Sequence, residues 1–350
     1  MGNEITNRKD AHLELCLRKS SEAAGIATGL GRYTLEHDAL CETNFQDVDL
    51  STTVLTKKLR APLIIGAMTG GTERAAQINK SLARAATRVG VGMALGSQRA
   101  MLGQPELKHT FAVREFAPDL PLLFGNIGAV QLNLGVGPND ISRLVDAVNA
   151  DAIFFHLNPL QEAIQPGGDT CFAGLSKKLE QIIPQLPVPS LIKEVGAGIS
   201  ARAAKKLAKL PLAGVEVAGV GGTSFALVES LRAEPGSPQA VVGQRLAGFG
   251  IPTAASIQAC RQAFGNRLVI ASGGIRTGMD IAVAIALGAD IVAMARPLLE
   301  AAVKSEDDVV QFLETLVYEL AVICFCTGSK NLEELRKVRV LDRSGLAVNP

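Results

Sequence analysis

The chain of 350 residues has no tryptophan, two tyrosines and an aromatic content of 4%, so its 47% hydrophobic fraction must build an aliphatic core rather than an aromatic one. An excess of one charge is also missing. Thirty-five Lys+Arg against 34 Asp+Glu leave a net charge of +1, and no global field draws the chain to nucleic acid or to an anionic membrane. The six cysteines, at 16, 41, 171, 260, 324 and 326, include no C-x-x-C pair, and the four histidines form no cluster beside them. That excludes the usual zinc patterns and reads as free thiols in a reducing cytosol. The opening MGNEITNRKDAHLEL lacks the apolar segment of a secretory signal, although Gly2 and Thr6 match the short myristoylation pattern. No stretch of 18 apolar residues suggests a membrane span, and a cytoplasmic location is expected. Composition excludes collagen, a disulfide scaffold and intrinsic disorder.

What the chain does have is 35 glycines and a rhythm. From residue 60 onward, short apolar runs end in Gly, Asn, Ser or a charged residue, and each is followed by an Ala/Leu-rich stretch of helical period. The runs are Leu63–Met68, Val91–Gly96, Leu122–Asn126, Ala152–Asn158, Ser190–Glu194, Gly214–Ala218, Leu268–Ser272 and Ile291–Ala295. Strands apolar throughout suit a parallel sheet covered on both sides, and eight βα units match a closed (β/α)8 TIM barrel of the α/β class. An open doubly wound sheet is the alternative, but the GxGxxG expected after its first strand is absent. Residues 1–50 are polar and lack strand signals. They read as an N-terminal extension with a short helix around Arg8–Lys19, and residues 51–350 as the barrel with C-terminal helices, Val309–Cys324 being a strong amphipathic candidate. Two long connections, Pro159–Gly174 and Val220–Gly250, follow strands and belong at the C-terminal mouth, where barrels carry their active sites.

The strand ends therefore carry the chemistry. Ala67-Met68-Thr69-Gly70-Gly71 follows the first, Gly96-Ser97-Gln98-Arg99 the second, Gly125-Asn126-Ile127-Gly128 the third, and His156-Leu157-Asn158-Pro159-Leu160-Gln161-Glu162 the fourth. Lys193-Glu194 closes the fifth. Gly221-Gly222-Thr223-Ser224 follows the sixth, Ser272-Gly273-Gly274-Ile275-Arg276 the seventh, and Ala295-Arg296-Pro297 the eighth. Glycine-rich turns expose backbone N–H groups to a phosphate, and the last three loops fall where barrels commonly bind one; each pair is equally a plain turn device. Arg8, Lys9, His12 and Arg99 form either an anion clamp or ordinary solvated residues. Lys193 is either a snorkelling cation or a charge beside a bound ring. His156 is either a hydrogen-bonded core residue or part of a site. Glu162 is a single carboxylate, too few for a caged metal but enough for Mg²⁺ that takes other ligands from substrate phosphates and water.

Taken together these motifs resemble the type 2, FMN-dependent isopentenyl-diphosphate isomerases, nearly end to end, with Arg8-Lys9-x-x-His12, SQR and HLNPLQE in order as the most specific part. The resemblance implies that Ala67, Met68, Thr69, Ser97, Asn126, Lys193, Thr223, Gly273, Gly274, Arg276, Ala295 and Arg296 hold FMN. It implies that Arg8, Lys9, His12, Arg99, His156 and Gln161 face the substrate, that Glu162 binds Mg²⁺, and that Gln161, His156 and Lys193 serve catalysis. The implied reaction interconverts isopentenyl and dimethylallyl diphosphate by a 1,3-proton shift on reduced FMN, with NADPH as initial reductant, in a homo-oligomer, tetramer or octamer. The segment before GGTS departs from the family pattern: Val220 stands at a position that is often basic, next to Glu216-Val217-Ala218-Gly219. The alternative is an FMN oxidoreductase of the 2-hydroxy-acid oxidase type. Such an enzyme needs a base, typically His, near the flavin at the seventh strand, and SGGIR offers none there.

Overall fold

The computed structural model describes residues 2–17, 21–23 and 25–343, without the side chains of residues 2–8. Eight strands close a barrel: β1 (Leu63–Ile65), β2 (Gly92–Ala94), β3 (Leu123–Gly128), β4 (Ala152–Leu157), β5 (Ser190–Glu194), β6 (Gly214–Glu216), β7 (Leu268–Ala271) and β8 (Ile291–Met294). Every neighbouring pair is parallel, and β8 returns to β1 through Ala293↔Ile64, so the open-sheet alternative is ruled out.

Each strand is apolar on both faces because it has two hydrophobic environments to fill. Ile64, Ala94, Phe124, Phe154, Leu191, Ile270 and Ile291 point into the barrel, with Phe124 stacked on Phe154 at 4.6 Å. Ile65, Met93, Leu123, Ile153, Phe155, Ile192, Val215, Val269 and Val292 point outward to the helices. A hairpin of Thr52–Val54 and Lys57–Leu59 closes the bottom, adding Val54 and Leu59 to the inner cluster.

The helices form for the usual local reasons. Helix Glu73–Val89 is capped by the Thr72 hydroxyl, which accepts from Ala75 N, and buries Ile78, Leu82, Ala86 and Val89 on one stripe before Gly90 turns left-handed at φ 76°. The amphipathic C-terminal candidate is helix Glu306–Cys326. It buries Val309, Leu313, Leu316, Val317, Leu320 and Cys324 against helices Glu73–Val89, Gly278–Ala286 and Arg296–Ala302. By length and composition alone it is apolar enough to cross a membrane, although polar residues such as Gln311, Glu314 and Glu319 interrupt it and, as expected, it holds no unbroken run of 18 apolar residues.

The extension differs from its sequence expectation. Its helix runs Gly2–Leu17, and Tyr33–Leu35 forms an antiparallel pair with Val340–Asp342. The two long connections carry secondary structure of their own. They hold helices Pro159–Ile164, Phe225–Arg232 and Pro238–Arg245. Helix Gly2–Leu17 lies over the mouth, resting on Phe225–Arg232 and Arg296–Ala302.

Candidate active site

At the C-terminal mouth the strands continue their inward alternation, but with polar side chains. Two residues beyond Phe124, Phe154, Leu191 and Ile270 come Asn126, His156, Lys193 and Ser272, and Glu216 stands two beyond Gly214. His156 pairs in register with Lys193, and Lys193 with Glu216, so three titratable groups stand abreast on adjacent strands. They form the floor of a cavity of about 270 Å³, roofed by Lys9, His12, Leu13 and Cys16 of the N-terminal helix.

Every candidate residue read from the sequence lines this cavity, except Arg8, whose side chain lies outside the described residues. The floor is tightly wired. Asn126 Nδ2 donates to Leu95 O at 3.0 Å, which turns its Oδ1 toward His156 Nδ1 at 2.8 Å. That oxygen can only accept, so His156 carries its proton on Nδ1. Burial, helped by the charges of Lys193 and Arg99, pushes the imidazole down to about 3, and it is neutral at ordinary pH. Lys193 Nζ donates to Glu194 O at 2.7 Å and pairs with Glu216 Oε1 at 3.3 Å. Glu194 Oε2 accepts four consecutive backbone N–H groups, from Val195 to Gly198, and holds the loop after β5. Burial raises the Glu194 carboxyl to about 7 against the pull of the Ala197, Gly196 and Val195 N–H groups.

One end of the cavity is a backbone cradle. Gly221, Gly273 and Gly274 have φ of 126°, 102° and 73°. A Cβ on Gly222 would meet Gly274 N at 2.5 Å, and one on Gly273 would meet Gly219 O at 2.1 Å, so the loops after β6 and β7 interlock only as glycine. Arg276 and Arg296 stand here, and both pair with Glu22 of the extension; the Arg296 Nη1–Glu22 Oε1 distance is 2.5 Å.

The opposite side gathers cations and amides. Lys9 Nζ donates to Ser97 O at 3.1 Å and lies 4.9 Å from the centre of the Phe111 ring. Arg99 Nη1 pairs with Asp169 Oδ2 at 2.5 Å, an oxygen that also accepts from Gln131 Nε2 at 3.1 Å. Glu162 takes Asn158 Nδ2 on Oε1 at 2.8 Å and Asp169 N on Oε2 at 2.7 Å. Gln161 Nε2 and His12 Nε2 each lie 2.9 Å from Glu229 Oε1, while Arg232 pairs with Glu229 Oε2. Burial works to raise the Glu229 carboxyl, yet the hydrogen bonds of His12 and Gln161 and the charge of Arg232 hold it below the usual carboxylate range.

Sequence reasoning missed Glu22, Asp169, Glu229 and Arg232, and noted Glu216 only as part of the segment before GGTS, without a role in the site. Glu229 carried a signal: it falls four residues after Phe225 and one after Val228, on the buried face of helix Phe225–Arg232, where a carboxylate needs partners. Among the described residues no group of three or more His, Cys, Asp or Glu forms a ready-made metal cage.

Residues 168–342 match the FMN-dependent dehydrogenase family model. A solved mandelate oxidase variant with a monooxide FMN adduct superposes with a TM-score of 0.64 at 18% identity, covering 93% of each chain, a likeness of fold alone. The chain is thus an FMN-type (β/α)8 barrel enzyme. It is 46% identical to an isopentenyl-diphosphate delta-isomerase of Nostoc over 97% of both chains, 48% identical to one of Synechococcus over 97% of both, and 46% identical to one of Deinococcus radiodurans over 96% of this chain and 98% of that one. The chain belongs to the isopentenyl-diphosphate delta-isomerase family, an FMN-dependent isomerase.

Proposed function

We propose that this chain interconverts isopentenyl diphosphate and dimethylallyl diphosphate with reduced FMN and Mg²⁺, NADPH serving only to reduce the flavin. The observation that carries the reading is that one cavity has two separate anion-binding ends. The glycine cradle with Arg276 and Arg296 suits a cofactor phosphate, and the cluster of Lys9, His12 and Arg99 suits a substrate diphosphate. The donor set fits FMN: Ala67, Met68, Thr69, Ser97 and Asn126 line the side where a ring would lie, Lys193 adds a cation there, and Thr223, Gly273, Gly274, Arg276, Ala295 and Arg296 line the phosphate end. Reduced flavin, when bound, supplies the acid–base chemistry.

The chain's own residues bind, orient and exclude water. A 1,3-proton shift in an isolated alkene has no acidic carbon to start from, so placement of the reacting carbons matters most. Arg8, Lys9, His12 and Arg99 hold the diphosphate, and that remote grip orients the apolar tail. Gln161 is fixed by Glu229 at 2.9 Å and by Asn158 Nδ2 at 3.2 Å, so its amide is aimed rather than free. A neutral His156 offers the lone pair of Nε2 as an acceptor. Leu13 and Cys16 keep water from the roof. Glu162 would hold Mg²⁺ together with phosphate oxygens and water, which agrees with a single carboxylate flanked by Asn158 and Gln165. In this reading residues 1–50 complete the substrate site, and residues 51–350 hold the flavin. The chain works in the cytoplasm, supported by six free thiols, and as a homo-oligomer, supported by exposed Leu231, Val242 and Phe249 in the segment after β6.

The test is anaerobic incubation of isopentenyl diphosphate with the purified yellow protein, Mg²⁺ and NADPH in heavy water. Dimethylallyl diphosphate carrying deuterium is expected. Turnover of a 2-hydroxy acid with no isomerisation would favour the oxidase reading instead.

A further inference from the structure

Glu216 is a floor residue with a buried carboxylate oxygen that no donor reaches among the described residues. It is 3% exposed and lines the cavity on β6, between Lys193 on β5 and the glycine loop after β7. Its Oε1 is fully engaged. Ser272 Oγ donates to it at 2.9 Å, Lys193 Nζ lies 3.3 Å away, and Ser272 is itself held by Ala218 N at 3.0 Å. Its Oε2 is buried and has no hydrogen-bond partner among the described residues. A buried carboxylate oxygen without a donor is costly, and on the same floor Asn126 Nδ2, His156 Nδ1 and Lys193 Nζ all have protein partners.

We propose that Glu216 Oε2 accepts a hydrogen bond from a hydroxyl of the polyol chain that joins the flavin ring to its phosphate. The inference rests on the flavin reading of the cavity. An oxidised flavin offers two kinds of neutral donor. The ring N–H sits on the pyrimidine edge, remote from the chain's attachment point, whereas the polyol hydroxyls span the distance from the ring side to the phosphate cradle. Glu216 stands between those two ends, one strand from Lys193 and one from Ser272-Gly273-Gly274. Its other oxygen, fixed by Ser272 and Lys193, holds the carboxylate in place to receive that hydroxyl.

The test measures equilibrium binding of two flavins to the apoprotein by fluorescence quenching. One is FMN; the other is a phosphorylated flavin whose three secondary chain hydroxyls are replaced by hydrogen. The wild-type chain is expected to prefer FMN, and Glu216→Ala to lose about tenfold of that preference, the scale of one hydrogen bond to a charged acceptor, with affinity for the deoxy flavin unchanged. Glu216→Leu keeps much of the bulk of the side chain but has no acceptor and, should the alanine variant not fold, reports the same loss. Preference for FMN retained in both variants overturns the inference, as does equal weakening of both flavins, which would mean that Glu216 acts only through Lys193. A wild-type chain that takes up neither flavin overturns the inference together with the cofactor reading; a wild type that binds FMN while the variants keep its preference overturns the Glu216 assignment alone.

Discussion

The barrel interior has two storeys built from the same strands. In the lower one, Phe124, Phe154, Leu191 and Ile270 fill the space between the strands as part of one buried hydrophobic cluster. Two residues further along, Asn126, His156, Lys193 and Ser272 point the same way and are held by hydrogen bonds rather than by close packing. The strand period of two places both sets inside, and only the residue type differs. The lower storey supplies rigidity without chemistry. The upper one concentrates buried polar groups that are stable only because each is fixed by a neighbour, and their fixed orientation is what a catalyst needs.

The sharpest way to break this division is in the lower storey. Phe154→Ala removes a fully buried ring stacked on Phe124 and is expected to cost about 3–5 kcal/mol of stability, read by denaturant unfolding. Once folded below its melting point, the variant should keep its substrate KM. A KM shift larger than the kcat shift would mean that the storeys are not separable.

Changes at the mouth should do the opposite. Gln161→Ala is expected to lower kcat by about 10²-fold, the scale of a misplaced reacting group, with a melting temperature close to that of the wild type. Full turnover in this variant would refute its role. Arg99→Ala is expected to raise KM for isopentenyl diphosphate by about 10- to 100-fold through loss of a charge-assisted contact, and to change kcat less. Equal KM values in the two proteins would move the diphosphate away from Arg99.

The same contrast explains what could be read in advance. All eight barrel strands were legible because strands buried on both faces leave unbroken apolar runs, and the runs chosen overlap β1 to β8. Strand Tyr33–Leu35 was not, since its partner Val340–Asp342 lies at the other end of the chain and a three-residue strand has no periodicity of its own. At the site, the residues at strand ends were legible by position. Those that hold them were not: Asp169 on Arg99, Glu229 on Gln161 and His12, and Glu22 on Arg276 become neighbours only after helices and loops fold over the mouth. Polar residues in a connecting segment look alike until the fold shows which of them are buried.

The smallest expected effect is the most specific to the upper storey, because only that storey titrates. His156 has its folded value lowered to about 3, below the ordinary 6.5 of an unfolded histidine, by burial and by the nearby charges of Lys193 and Arg99. Between those two values the unfolded chain binds a proton that the folded chain refuses. Stability contributed by the neutral imidazole is therefore complete above pH 6.5 and is lost as pH falls below it, by about 1 kcal/mol for the first unit. His156→Gln has no such proton to refuse. Urea unfolding at pH 7 and pH 5.5 should thus show a smaller acid loss in the variant than in the wild type, even though the variant is less stable at pH 7 through its altered bond to Asn126. An identical acid loss in both proteins would mean that His156 is already protonated when folded, and a charged imidazole beside Lys193 would then have to be counted among the cations that receive the substrate.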